Sequence, residues 1–189
     1  MAYGLIPVRV PGGHPTPNCF SDYKIADGYT TALLRGDVVT LVAGGTIERA
    51  AAGNVVLGVF DGVEYTKGNG EIVFDAYWPA SQAILSGSSA KAYVYDDPNT
   101  VFKAQSDQDT TAFAAADEGL LCDIVVAAGN TTIKSSGSSI DSSTKKTTDG
   151  QFKFLNSAQT DGSFTAAGTT MDVYVLPNEH LYKAAVAGI

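Results

Sequence analysis

Short runs of branched and aromatic residues, separated by glycine-rich turns, dominate the chain. The densest example is RGDVVTLVAGGTIERAAAGNVVLGVFDGV, residues 35–63. It reads as three strands, 37–42, 46–50 and 55–60, closed in turn by Ala43-Gly44-Gly45, by Ala51-Ala52-Gly53-Asn54 and by Asp61-Gly62. Branched side chains suit a pleated surface, whereas Gly and Asn accept the positive φ that tight turns need. Strands this short predict a tightly curled antiparallel sheet or a small barrel. Val39 and Val56 point away from Val38 and Val55, so both faces of these strands need covering. A second copy could supply that cover, which makes Val39 and Val56, with Tyr77, a candidate oligomer interface.

The same pattern continues downstream. Residues 71–78 alternate, with Ile72, Phe74, Ala76 and Trp78 on one face and Glu71, Val73, Asp75 and Tyr77 on the other. Lys67-Gly68-Asn69-Gly70 before them is a hairpin turn, and Pro79 ends the strand. Residues 91–95 and 100–105 flank Asp96-Asp97-Pro98-Asn99 as a second hairpin. The one helical candidate is 109–117, DTTAFAAAD, capped by Asp109 and closed by Gly119. A buried strand is expected over 120–126. Residues 135–150, SSGSSIDSSTKKTTDG, shift abruptly to Ser, Thr and Gly and read as a long surface loop or flexible excursion. Phe152 and Phe154 then share one face, and the last strand, 169–176, sets Met171, Val173 and Val175 against Asp172 and Tyr174.

The expected fold is all-β, a small antiparallel barrel or sandwich of short strands with at most one short helix. Its core is drawn from Val38, Leu41, Ile47, Val55, Leu57, Val59, Ile72, Phe74, Trp78, Ile124, Phe152, Phe154, Val173 and Val175. Residues 21–189 form the body, either as one unit or as two subdomains, 21–80 and 81–189.

Residues 1–20 break the pattern. Pro7, Pro11, Pro15 and Pro17 remove hydrogen-bond donors and favour extended backbone. Leu5, Ile6, Val8 and Val10 are nevertheless apolar. The segment is either a terminus packed on its own body or an extended arm laid on another subunit. In the second reading Leu5, Ile6, Val8, Val10, Pro11, His14 and Pro15 make the contact.

Charge narrows the function. The chain of 189 residues carries 12 Lys and Arg against 20 Asp and Glu, a net charge of −8. Nucleic-acid binding depends on basic groups that neutralise phosphates, and Lys145-Lys146 alone cannot line a groove. No apolar run reaches membrane-spanning length. The first residues lack a basic start followed by an unbroken apolar stretch, so no secretory signal is expected. Synthesis in the cytoplasm follows, with Cys19 and Cys122 as unpaired thiols.

Candidate chemistry is sparse. A catalytic triad needs Ser or Cys, His and an orienting acid. The two histidines are His14 and His180, and Glu179 beside His180 points the other way on extended backbone. Cys19 with His14 is too little for zinc. Asp96, Asp97 and Asn99 lack a dedicated calcium-loop pattern and suit turn chemistry instead. Lys67 lacks the neighbours of a cofactor-carrying hairpin lysine. Arg35-Gly36-Asp37 spells a cell-adhesion tripeptide, but its Gly makes a turn and its Asp opens a strand. No catalytic residue, metal or cofactor is expected.

The spacing Gly36-Asp37-Val38-Val39-x-Leu41, Gly45-x-Ile47-x-x-Ala50 and Val56-Leu57-Gly58-Val59 with Gly62 resembles the core of capsid decoration proteins of tailed double-stranded-DNA phages, also called cement or head-stabilising proteins. Gly119-Leu120-Leu121-Cys122-Asp123, the Gly/Ser stretch, residues 152–156, Asp172-Val173-Tyr174-Val175 and Asn178-Glu179-His180 are similar to structural proteins of marine and cyanobacterial podoviruses. The resemblance implies a non-enzymatic virion protein on the outer capsid surface, commonly a homotrimer, whose N-terminal segment contacts the major capsid protein. Two other readings remain: a tail or head–tail component or surface-displayed adhesion module, and an enzyme.

Overall fold

A computed structural model describes residues 2–11 and 20–183. Among the described residues the chain forms fifteen short strands: β1 (Ile6–Arg9), β2 (Ser21–Ile25), β3 (Leu33–Leu34), β4 (Val38–Val42), β5 (Thr46–Arg49), β6 (Gly58–Thr66), β7 (Ile72–Asp75), β8 (Tyr77–Trp78), β9 (Ala90–Tyr95), β10 (Val101–Gln105), β11 (Leu121–Cys122), β12 (Ile124–Val125), β13 (Ser139–Ile140), β14 (Phe152–Ser157) and β15 (Asp172–Pro177). The protein is all-β. The one helical turn among the described residues is a 3-10 turn, Ala115–Asp117. The expected helix from Asp109 does not form. Asp109 instead accepts from the backbone N–H and hydroxyl of Thr110, a local bond that competes with helix initiation.

Two sheets carry the body. The first runs β4-β5-β2-β9-β6-β7, and β6 also pairs with β4. That extra pairing closes five strands into a barrel and leaves β7 as an appended edge. Its interior holds Ile25, Leu33, Val39, Ile47, Leu57, Phe60, Val63, Trp78 and Val94. The second sheet runs β1-β10-β15-β14-β11 over a core that includes Leu5, Phe102, Phe113, Cys122, Ile124, Phe152, Phe154, Val173 and Val175. Phe113 stacks on Phe154 at 4.5 Å between ring centroids. The 21–80 boundary falls short of this division, because β9 pairs into the first sheet.

The turns at 43–45 and 67–70 lie where the pattern puts them. Gly70 has φ 87° and donates to Lys67 O at 2.8 Å. Other expectations change. Asp61-Gly62 is not a turn but the middle of β6. The register on β9 slips between Phe60 and Gly62, and Gly62 lets the Asp75 carbonyl approach to 2.9 Å of where a Cβ would stand. A glycine inside a strand marks such a bulge and close approach. Residues 91–105 are not a hairpin either. β9 already has β2 and β6 on its two sides, so the chain turns at 96–100 and carries β10 into the other sheet. The expected 120–126 strand breaks at Asp123 for a similar reason: β11 pairs with β14 and β12 with β13.

Ile72 and Phe74 are the clearest core misassignment. They are 61% and 69% exposed, whereas Trp78 is fully buried. The backbone bends at Ala76, which resets the alternation, so the face that carries Phe74 outward is not the one that carries Trp78 inward. Leu41 and Val55 are half-buried at the core margin.

The first half of the serine-rich stretch is interior, whereas Ser143 and residues 147–149 are exposed. Ser136, Ser138, Ile140 and Ser142 are all buried. Small hydroxyl side chains fit there because they find carboxylate partners, Asp37 buried and Asp107 half-buried. Ser136 and Ser138 donate to Asp37 at 2.5 and 3.5 Å, and Ser142 donates to Asp107 at 2.7 Å. Residues 136–142 thread between the sheets, and the chain reaches the surface after them.

Residues 2–11 of the N-terminal segment are part of the body. β1 pairs antiparallel with β10, and Leu5 is buried, donating its N–H to Gly36 O at 3.0 Å. Ile6 is 48% exposed, Val8 and Val10 are half-buried, and Pro11 is exposed. His14, Pro15 and Cys19 lie outside the described residues.

Candidate interaction surface

The candidate interface valines are closed off. Val39 and Val56 are fully buried in the chain's own two cores, so the second apolar face is covered from within. Tyr77 is half-buried. Leu5, placed in the arm contact by its apolarity, is likewise internal.

A different surface stands open. On the outer face of the first sheet, Glu64 of β6 lies opposite both Phe74 of β7 and Lys91 of β9, and Thr66 lies opposite Ile72. Leu85 donates its N–H to Thr66 O at 2.8 Å on the other side of β6. Phe20, just before β2, sets its ring edge-on at 5.1 Å from Tyr93 and 6.2 Å from Tyr95. Phe20 is 47% and Leu85 39% exposed. Alternation puts Ile72, Phe74 and Tyr93 outward for the same reason that Val63, Tyr65, Ala92 and Val94 go inward. The result is a stripe in which Ile72 and Phe74 on β7 and the Phe20–Tyr93 pair at β9 flank the polar Glu64 and Thr66 of β6.

Charges are interleaved with the stripe. Lys91 stands 5.5 Å over the Tyr93 ring and 3.5 Å from Asp22. Tyr93 donates its hydroxyl to Glu64 at 2.9 Å, which holds that phenol above its usual range. Lys67 and Glu71 pair at 3.1 Å across the hairpin. At one end a cavity of about 240 Å³ opens between the sheets, lined by Leu5, Pro7, Val59 and Phe60, with Arg35 and Tyr95 at its rim. Tyr95 links it to Phe20.

Among the described residues, those with potential chemistry are dispersed or engaged in local hydrogen bonds. Asp37 of the adhesion-like tripeptide is buried, so that tripeptide is not displayed. Asp97 accepts from Asn99 N at 2.8 Å and Asp96 from the Tyr23 hydroxyl at 2.6 Å, which is turn and packing chemistry. Cys122 is a buried free thiol pushed up to about 12, mainly by burial. Asp107, Asp109 and Asp141 come together with ligand oxygens within 4.8 Å, a grouping that their sequence separation hides. Ser142, Thr110 and Ser143 hydroxyls already bind those carboxylates.

His180 is fully buried. Its Nδ1 accepts from Tyr182 N at 3.2 Å, and Val56 N donates to Glu179 O at 2.7 Å, so the segment after β15 fastens against the first barrel. Burial, and then the Lys183 charge, lower its pKa from 6.5 to about 4. Between those values the unfolded chain takes up a proton that the folded chain refuses, so stability falls as pH drops from 6.5 towards 4. The loss should approach about 3 kcal/mol. Urea unfolding at pH 7 and pH 4.5 should show that fall, and His180→Gln should reduce it; an equal fall in the variant would assign it to other groups.

Comparison with known proteins adds no relative: no protein family, curated protein or solved structure matches the chain. Sequence reasoning missed the stripe because the clean alternation of 71–78 puts Phe74 on the same face as Trp78. Phe20 could have been found only from the fold, since its aromatic partners lie more than seventy residues away.

Proposed function

We propose that this chain is a non-enzymatic structural protein of a tailed double-stranded-DNA phage, a decoration protein that binds the outer face of the assembled head as a homotrimer. The major capsid protein is its partner, and the host cytoplasm is its place of synthesis. The observation that carries this reading is the open stripe of Phe20, Ile72, Phe74 and Leu85 on a small, acidic, all-β body. Large apolar side chains left exposed on one face of an otherwise charged surface mark a protein–protein contact. The acidic balance favours a protein partner over packaged DNA. The resemblance of residues 36–62 to head-stabilising proteins supplies the identity of that partner.

Ile6, Val8, Val10 and Pro11 remain the proposed shell contact, now as the edge of a sheet. β1 is rigidly paired, so docking it costs less ordering entropy than docking a free tail. Three such edges on one trimer bind far more tightly than one, through effective concentration. A ligand that binds only the assembled lattice stabilises that lattice by linkage. Purified protein added to undecorated heads should therefore be retained at saturable occupancy and raise the temperature at which the heads rupture. A particle reconstruction should place it outside the shell. Failure to bind heads, or density in the tail, would overturn the proposal.

A further inference from the structure

We infer that the free edge of β7, with the apolar stripe beside it, is the surface through which one copy of this chain joins another. The inference deepens the reading above and rests on it for the existence of self-association.

The edge is open by construction. Among the described residues β7 pairs only with β6. Lys67 N donates to Glu71 O at 2.8 Å, and antiparallel bonding then alternates. Val73 and Asp75 direct their backbone groups to β6, whereas Ile72 and Phe74 direct theirs outward. Among the described residues no backbone group bonds that outer side. The two residues with free main-chain donors and acceptors are thus the two most exposed apolar side chains of the strand.

Exposed edges are normally blunted by Pro, by an outward Lys, by a bulge or by a covering loop. β7, Ile-Val-Phe-Asp, has no Pro or Lys, and its register with β6 runs without a shift. An unprotected edge flanked by apolar side chains on one face adds a strand readily, with main-chain bonds for affinity and side chains for register.

Charge points to a second copy as the occupant. Each chain carries −8, so two copies repel across most of their surfaces. The outer face of the first sheet differs. Over β2, β9 and β6, Lys24 and Lys91 stand there with Asp22 and Glu64, two against two, with Lys91 paired to Asp22. This locally neutral face lets two acidic bodies meet, and its mixed signs can complement each other in a rotated copy. A strongly basic or acidic partner would find no matching field.

Closure follows from which surface β7 meets. A joint of β7 with an unlike surface on the next copy generates a ring and leaves β1, blunted by Pro7 and a register shift, to the shell, whereas β7 against β7 generates a two-fold dimer.

The test is the double substitution Ile72→Lys/Phe74→Lys, which protects the edge without touching either core. Mass in solution by analytical ultracentrifugation, thermal unfolding, and retention on undecorated heads are measured for both proteins. The expected result is a trimeric wild type and a monomeric variant that still unfolds cooperatively. A dimeric wild type made monomeric by the change also supports the surface, while refuting the ring of three. A variant that keeps the wild-type mass, or a wild type that is monomeric throughout, overturns the inference. If the monomeric wild type binds heads and the variant does not, the stripe belongs to the shell contact instead. Loss of head binding by both proteins would refute the virion reading alone.

Discussion

Asp37→Ala should destabilise the protein by about 3–5 kcal/mol, one of the largest single-site effects in the molecule. Asp37 is buried at the point where three parts of the chain meet. Its Oδ2 accepts from Leu34 N at 2.9 Å, and its Oδ1 accepts from the Ser136 hydroxyl at 2.5 Å and the Ser138 hydroxyl at 3.5 Å. Its neighbours complete the junction: Gly36 N bonds Phe60 O, Leu5 N bonds Gly36 O, and Ser136 N bonds Arg35 O, all at 2.9 to 3.0 Å. β1, β6 and the serine-rich stretch are therefore held by residues 34–37. Alanine leaves a backbone N–H and two hydroxyls buried without their acceptor, and each lost acceptor costs the desolvation of its donor.

Asp37→Asn separates shape from charge. The amide oxygen can keep the Leu34 bond, and the amide nitrogen can donate to Ser136, so the loss at neutral pH should be much smaller. Burial raises the Asp37 pKa, opposed by its hydrogen bonds from Ser136 and Leu34. The folded state therefore holds this proton to higher pH than the unfolded state does. Stability from this group is full below the ordinary carboxylate range and falls as pH climbs through the folded value. Asn removes that slope. Urea unfolding across pH 4 to 8 would show it; an Asp37→Ala protein within about 1 kcal/mol of wild type would mean the junction is not coupled.

That junction shows where sequence stops being informative. Val38, Ile47, Leu57, Val59, Phe152, Phe154, Val173 and Val175 are buried as their alternation dictates, because period-two patterning is a local property of strands. The hairpin at 67–70 is equally local. Which strands pair is not. The chain leaves β9 at Asp96 and joins another sheet because both sides of β9 are already taken, a fact set by β2 and β6 at a distance. The outward turn of Phe74 depends on one bend at Ala76. The acid of Arg35-Gly36-Asp37 reads as a strand opener, yet its serine partners lie about a hundred residues away.

The serine-rich stretch supplies the other large effect. Composition alone makes 135–150 a solvent-exposed excursion, since Ser and Gly without large apolar residues have little to bury. Inside the fold, smallness is the reason it is there. A Cβ on Gly137 would lie 2.2 Å from Ala128 O and 2.8 Å from Ala128 C, and one on Gly129 would lie 2.4 Å from the Leu34 Cδ1 and 2.5 Å from Ser135 O. The two glycines thus let the 126–130 and 135–139 backbones pass in contact, and the obstacle at Gly137 is backbone that cannot rotate away. Gly137→Ala should cost about 2–4 kcal/mol, as overpacking does when nothing flexible can yield. Gly68→Ala is the matched control: no atom lies within 4 Å of its Cβ position at the hairpin tip, so its effect should stay within about 0.5 kcal/mol. Chemical denaturation of the two variants side by side reads the difference directly. If the stretch were a surface loop, both substitutions would be equally silent; an unfolding midpoint lowered only by Gly137→Ala places it between the sheets.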